Sequence, residues 1–150
     1  MAAKLSGFDV ITRVGDLQAQ FDEVSISIED NSKASKSRGR PNGHTRGSVA
    51  ATGELTCDSA NFEVLLDAAK AAGSWQEMPT FDVNFVGAVA GQELNIEAFE
   101  CLIKISDLLS ADANGDEMLT HKLPFEVTGK DFVRINGVPY APEKDKDYLL

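Results

Sequence analysis

Apolar and polar residues alternate with a period of two along most of the chain, the pattern of strands with one covered and one wet face. Phe8, Val10, Thr12 and Val14 share one side of a first predicted strand. Val24, Ile26 and Ile28 alternate with Glu23, Ser25, Ser27 and Glu29 in a second. A third alternates Val49, Ala51, Gly53, Leu55 and Cys57 with polar or small residues, and Phe81, Val83 and Phe85 mark a fourth. The longest candidate, from about Glu93 to Ser106, changes phase: Leu94 and Ile96 face one way, Phe99, Cys101, Ile103 and Ile105 the other. A bulge or a crossing between sheets would produce that shift. From Met118 to Thr128, Leu119, His121, Leu123, Phe125 and Val127 form a face that is apolar save for the histidine. Pro124 has no backbone donor, which predicts an edge position or a bulge for this strand. Asn136-Gly137, between Val133/Ile135 and Val138/Tyr140, predicts a tight hairpin, because both central residues of such a turn take positive φ.

One segment follows a helical period instead. Phe62, Leu65, Leu66 and Ala69 recur at i, i+3, i+4 and i+7, with Asp58 or Ser59 to cap the start and Gly73 to end it. The spacing predicts one amphipathic helix over about Ser59 to Ala72, its narrow stripe laid on a sheet. The order is then three strands, the helix, three strands and a hairpin. So many strands curl or split, which predicts a mainly β fold: an antiparallel β-barrel or sandwich with one flanking α-helix. A long loop, 31–47, separates strands two and three. Residues 1–140 read as a single domain, and the charged, Pro-containing residues 141–150 as a flexible tail.

Charge changes the meaning of that loop. The chain carries 14 basic and 24 acidic residues, a net charge of −10. Lys33, Lys36, Arg38, Arg40 and Arg46 all lie within the loop, beside His44 and with no Asp or Glu, so the remainder holds nine bases against 24 acids. An acidic body with a basic arm can attract another copy of itself and repels nucleic acid over most of its surface. Seventeen structureless residues are unusual inside a compact domain and such loops often carry function. At 150 residues the chain can build a core without metal or disulfides. No apolar run reaches membrane-span length, and Met1 to Leu5 lacks a signal-peptide stretch, which predicts a cytoplasmic protein.

Candidate catalytic and metal chemistry is sparse. Asp112, Asn114 and Asp116 imitate the opening of a calcium loop, but Glu117 stands where that loop needs Gly and Leu123 where it needs Glu. His44 and His121 are far apart, and no HxH, HExxH or CxxC spacing supplies a zinc site. His121, on an apolar face, reads as a satisfied core histidine, and Cys57 and Cys101 as buried small hydrophobes. There is no GxSxG elbow, P-loop or GxGxxG. No enzyme, cofactor or metal is expected.

The phrases SIEDNSKASKSRGRPNGHTRGSVAATGEL, NFEVLLDAAKAAGSW, AFECLIKISDLL and DFVRINGVPY resemble a family of small prophage-encoded proteins of enteric bacteria. That family is similar to the tail tube proteins of contractile-tailed phages and to the type VI secretion tube protein. The resemblance covers about Ser6 to Tyr140. It implies a β-barrel or sandwich subunit that forms hexameric rings, stacked around an acidic, DNA-conducting lumen. The implied partners are further copies of the chain and other tail proteins (sheath, baseplate, terminator), with no membrane and with DNA only as cargo. Synthesis would be cytoplasmic and the final place a virion tail. In such proteins a long loop after the second strand reaches the adjacent ring, which places that role on Lys33, Lys36, Arg38, Arg40, His44 and Arg46. A competing expectation is an OB-fold-like module that binds single-stranded nucleic acid through the same loop, although the loop holds no Phe, Tyr or Trp for stacking.

Overall fold

The computed structural model describes residues 10–17, 19–89, 91–109, 111, 113–116 and 118–142. Its strands are β1 (Val10–Val14), β2 (Glu23–Asp30), β3 (Lys33–Ser37), β4 (Arg40–Thr45) and β5 (Val49–Asp58), followed by helix α1 (Ser59–Ala72). Then come β6 (Phe81–Val89), β7 (Gln92–Ile103), β8 (Thr120–Val127), β9 (Val133–Ile135) and β10 (Val138–Pro139). The main sheet runs β1-β6-β7-β8-β5-β2, with β9 on β7 and β10 on β9; β3 and β4 pair separately. Every pairing is antiparallel. The result is mainly β and sandwich-like, and the described strands form no closed barrel.

The predicted phase change is a bulge, and it organises the whole sheet. Between Phe81↔Cys101 and Val83↔Ala98 the register slips by one residue, with Glu100 at φ 51°. The core face therefore runs through Ala98 and then Cys101 and Ile103. Phe99, expected on that face, instead lies outside the core under the Arg134 guanidinium, 5.3 Å from its ring centroid. Before the bulge β7 pairs with β9 (Ile96–Ala98); after it β7 pairs with β8 (Cys101–Ile103). Thr128 N–H donates to the Glu100 carbonyl and Gly129 N–H to that of Phe99, which fastens the bulge at the branch.

Pro124 is not at an edge and its strand is not bulged, contrary to expectation. β8 lies between β5 and β7, with Pro124 opposite Glu54. Its carbonyl accepts from Lys104 N–H at 2.8 Å, so the missing donor also points at Lys104, one residue beyond the end of β7. The ladder loses one bond where it is already ending, which is why a proline is tolerated there.

Inner faces meet in one core that includes Val14, Leu55, Val83, Leu123, Phe125 and Val133. Phe85 of β6 and Phe125 of β8 stack across it at 6.3 Å. Helix α1 has the predicted span. Asp58 caps it by accepting from Asn61 N–H, Gly73 ends it at φ 103°, and Phe62, Leu65 and Ala69 are its buried residues. It sits on the end of the sheet, where Phe62 stacks on His121 of β8 at 4.4 Å and on Trp75 at 5.5 Å. The Asn136-Gly137 turn forms as expected, with φ 51° and 83°. Among the described residues, no helix is long and apolar enough to cross a membrane.

Because Phe125 is 1% exposed and joins the strands of both layers, Phe125→Ala should cost about 3–5 kcal/mol. Urea unfolding of variant and wild type checks this; a change under 1 kcal/mol, roughly the size of a typical surface substitution or less, would contradict the assigned core.

Candidate functional site

Residues 31–47, predicted as a structureless loop, are mostly a two-stranded ribbon. β3 and β4 pair with Ser37 opposite Arg40, and Arg38 and Gly39 turn between them at φ 53° and 79°. Both central residues thus take the conformation of a tight hairpin turn, but with Arg where Asn or Asp is usual. A register slip between Ala34 and Lys36 absorbs one extra residue near Gly43, at φ 76°. Apart from half-buried Ser35, every side chain of both strands is exposed. A ribbon with no core of its own is marginal in water, so its root and any neighbour decide its order.

The structure brings the six predicted residues onto this arm without gathering them on one face. Cross-strand partners share a face, so Lys36, beside Pro41, and His44, beside Ala34, lie on one side. Lys33, opposite Thr45, and Arg40, opposite Ser37, lie on the other, and Arg38 forms the tip. Arg46 follows β4 at the root. Cations on both faces and at the tip suit an arm enclosed by a partner better than one laid flat.

The root is built with more care than the sequence suggested. Asn31 N–H donates to the Ser48 carbonyl at 3.0 Å, and Asn31 Nδ2 donates to the same carbonyl and to Ser48 Oγ. A Cβ on Gly47 would fall 2.2 Å from the Asn31 carbonyl oxygen, so only glycine permits this clamp. Asp30 accepts from Ser32 N–H and Ser32 Oγ, and from Tyr140 Oη at 2.7 Å, tying the arm to the end of the β9–β10 hairpin. The Asp30-x-Ser32 turn is a local signal that sequence alone could have offered. The link to Tyr140, 110 residues away, was not readable.

The second feature is the open end of the sheet. β1 and β2 end its main path, apart from the β9–β10 branch, and among the described residues they do not pair with each other. A groove of about 1170 Å³ separates them, lined by β1, by residues 15–17 and 19–22, and by the start of β2. Beside it an apolar slot of about 180 Å³ is lined by Val10, Val24, Ile26, Phe85, Leu94 and Ile96. Sequence alternation identified both strands but not which ones would be left at the edges.

The remaining candidates stay structural. His121 is buried; its Nδ1 donates to the Leu108 carbonyl at 2.7 Å, which leaves Nε2 to pair with Ser59 Oγ at 3.0 Å. Burial pushes the Cys57 thiol up to about 11, with Asp58 and Asp22 adding to it, and the Cys101 thiol up to about 12. Neither is a ready nucleophile at neutral pH. Asp112 and Glu117 of the calcium-like stretch lie outside the described residues, and among the described residues no cluster of His, Cys, Asp and Glu could hold a metal.

Bonds from the Ser32 hydroxyl, from Tyr140 and from Ser32 N–H hold the Asp30 carboxyl down at about 2. The tie is therefore complete above the ordinary carboxylate range and is lost as pH falls through about 2. An NMR titration should place the Asp30 midpoint near that value and move it upward in Tyr140→Phe. An ordinary carboxylate midpoint in the wild type would contradict the root geometry.

Comparison with known proteins bears out the resemblance. The family described as Bacteriophage HP1, Orf24 matches residues 7–141. A protein of Haemophilus phage HP1 (strain HP1c1) named "Putative tail tube protein" is 38% identical over 147 residues, 98% of each chain. A chain in the PVC sheath/tube terminator of an extracellular contractile injection system has a similar fold, with TM-score 0.67, 14% identity, and 89% of this chain and 96% of that one covered. The SPP1 tail tube is similar with TM-score 0.59, 14% identity, and coverage of 98% and 86%. These last two likenesses concern the fold, while the first two, running over almost the whole sequence, establish that the chain belongs to the bacteriophage HP1 Orf24 family.

Proposed function

We propose that the chain is the structural subunit of a phage or phage-derived tail tube, which forms hexameric rings that stack around a DNA-conducting lumen. The observation that carries this reading is the 38% identity to the HP1 protein across 98% of both chains. The geometry supplies reasons for assembly. Among the described residues the two ends of the main sheet path, β1 and β2, are left open, and joining such edges around a closed ring removes their liability. Ile11 of β1 and Val138 of β10 are large exposed apolar side chains that lateral contacts would cover. The basic arm needs a partner surface to hold it, and the rest of the chain is acidic. Rings set copies of the arm side by side, so weak charge contacts add up between rings.

In this reading the role is mechanical, with no catalytic residue, cofactor or metal. Partners are other copies of the chain and, at the ends and outside, sheath, baseplate and terminator proteins. Solved assemblies with similar chains include a sheath-tube complex, a tube-terminating cap and a baseplate of contractile systems. The place of action is the virion tail after synthesis in the cytoplasm. DNA passes through the tube as cargo, and an excess of carboxylates would let it slide without sticking. Of residues 141–150, expected as a flexible tail, Ala141 packs against the core, so a tail outside the tube domain would start after it. Their last eight residues lie outside the described ones.

Lys33, Lys36, Arg38, Arg40, His44 and Arg46 are the contact residues between rings in this account. Negative-stain microscopy of the purified chain at low salt should show six-fold rings with a central hole, and tubes at higher concentration. Arg38→Glu with Arg40→Glu should keep the rings and lose most of the tubes. A wild-type chain that stays monomeric at every concentration would contradict the reading, and unchanged tubes in the double variant would remove the arm from it.

A further inference from the structure

The arm has a position as well as a charge, and the strands that carry it also carry its opposite pole. β2 leads into the arm at Asp30 and β5 leaves it at Val49. β5 then runs its ten residues, about 30 Å at about 3.3 Å each, to Asp58. Asp58 pairs with Thr120, the first residue of β8. The two ends of the connection from β7 to β8, residues 107–109 and 118–119, therefore lie at the end of the sandwich opposite the arm.

The ends of that connection carry exposed apolar side chains close together in sequence. Leu108, Leu109, Met118 and Leu119 are 57%, 70%, 60% and 40% exposed. A bridge between Asp107 and Lys122 lays the start of the connection against β8, while Met118 and Leu119 precede Thr120, the first residue of that strand. The hydrogen bond from His121 to the Leu108 carbonyl pins the segment to a buried side chain. Exposure of this kind is costly in a monomer and marks a contact surface.

The charge of this pole is complementary to the arm. Asp22, Asp58 and Asp116 lie on it or next to it. The nearby bases, Lys104 and Lys122, are already paired with Glu126 at 3.5 Å and Asp107 at 3.8 Å. The arm brings five bases and no acid. Its arginine and lysine side chains also have apolar stems that can lie on leucine and methionine while their heads reach carboxylates.

We infer that the apolar, acid-fringed ends of the β7–β8 connection, at Leu108, Leu109, Met118 and Leu119, are the receptor for the basic β3–β4 arm of a second copy in the neighbouring ring. The inference rests on the tube reading and adds to it the identity of the receiving surface. Donor and receptor are different surfaces at opposite ends of one strand, so the contact is head-to-tail. A contact of that kind does not close on itself and propagates as a stack. It also gives each ring two unlike faces, so the stack has a direction.

The test pairs a crosslink with a charge swap in the full-length chain. Arg38→Cys and Leu109→Cys are combined in one chain, with the buried native Cys57 and Cys101 left in place. Mild oxidation of assembled protein should give a reducible ladder that extends past the hexamer, while each single variant gives none. Separately, Leu109→Lys should keep rings and reduce tubes by about tenfold or more, because it sets a like charge against the arm. Arg38→Glu with Arg40→Glu in that same chain should restore part of the loss. Tubes without a 38–109 crosslink, or a ladder that stops at the hexamer, would overturn the receptor assignment and leave the tube reading standing. So would arm-to-arm dimers from Arg38→Cys alone. A wild type that forms neither rings nor tubes would overturn the tube reading, and the receptor with it.

Discussion

Backbone hydrogen bonding at the two ends of an open sheet is the constraint from which most of this structure follows. In β2 the bonds alternate so that odd-numbered residues face β5, as the Asn31–Ser48 pair shows, leaving the amides of Val24, Ile26 and Ile28 pointing away from it. In β1 the Gly15–Asp82 bond fixes the same alternation and turns Val10 and Thr12 away from β6. Stable monomers usually blunt such edges with proline, lysine or a bulge. β2 has none of these over its eight residues, and its register with β5 is unbroken. The apolar slot beside it is lined by Val24 and Ile26 of the same strand. The charges of β2, Glu23, Glu29 and Asp30, sit at its ends; an edge kept straight and uncharged from Val24 to Ile28, next to uncovered apolar surface, is suited to being joined, and copies of the chain arranged in a ring would join it.

The bulge at Glu100 is what makes room for that geometry. A twelve-residue strand without it would keep one neighbour on each side and extend a single flat sheet. With it, β7 serves β9 before the bulge and β8 after it, so the sheet divides into two packed layers. The division sends β1 and β2 to opposite limits of the sheet while keeping both near Phe85 and Ile96. Assembly surface and core are thus set by the same local slip in register.

Much of this was legible in the sequence, and the failures have specific causes. Strict alternation located β2, β5, β6 and β8, and helical spacing with Asp58 and Gly73 at its ends gave α1 its full span. The phase change before Cys101 revealed the bulge, although Phe99 was placed on the wrong side of it, because a bulge adds a residue that period-two counting cannot assign. Pro124 misled because proline excludes only the bond on its own side, and that side faces the end of β7. The β3–β4 ribbon was invisible. Its strands have no apolar periodicity, and its turn uses Arg38-Gly39 in place of a recognisable pair. The basic residues of the arm were found from charge alone; the receptor loop and the open edges needed topology, which no local pattern contains.

Amide hydrogen exchange compared between dilute and assembled protein tests the central claim most directly. The account predicts that Val24, Ile26 and Ile28 exchange rapidly in the dilute chain and slow by about tenfold or more on assembly, as their amides enter an intermolecular ladder. Assemblies in which these three amides exchange as fast as in the dilute chain would contradict it.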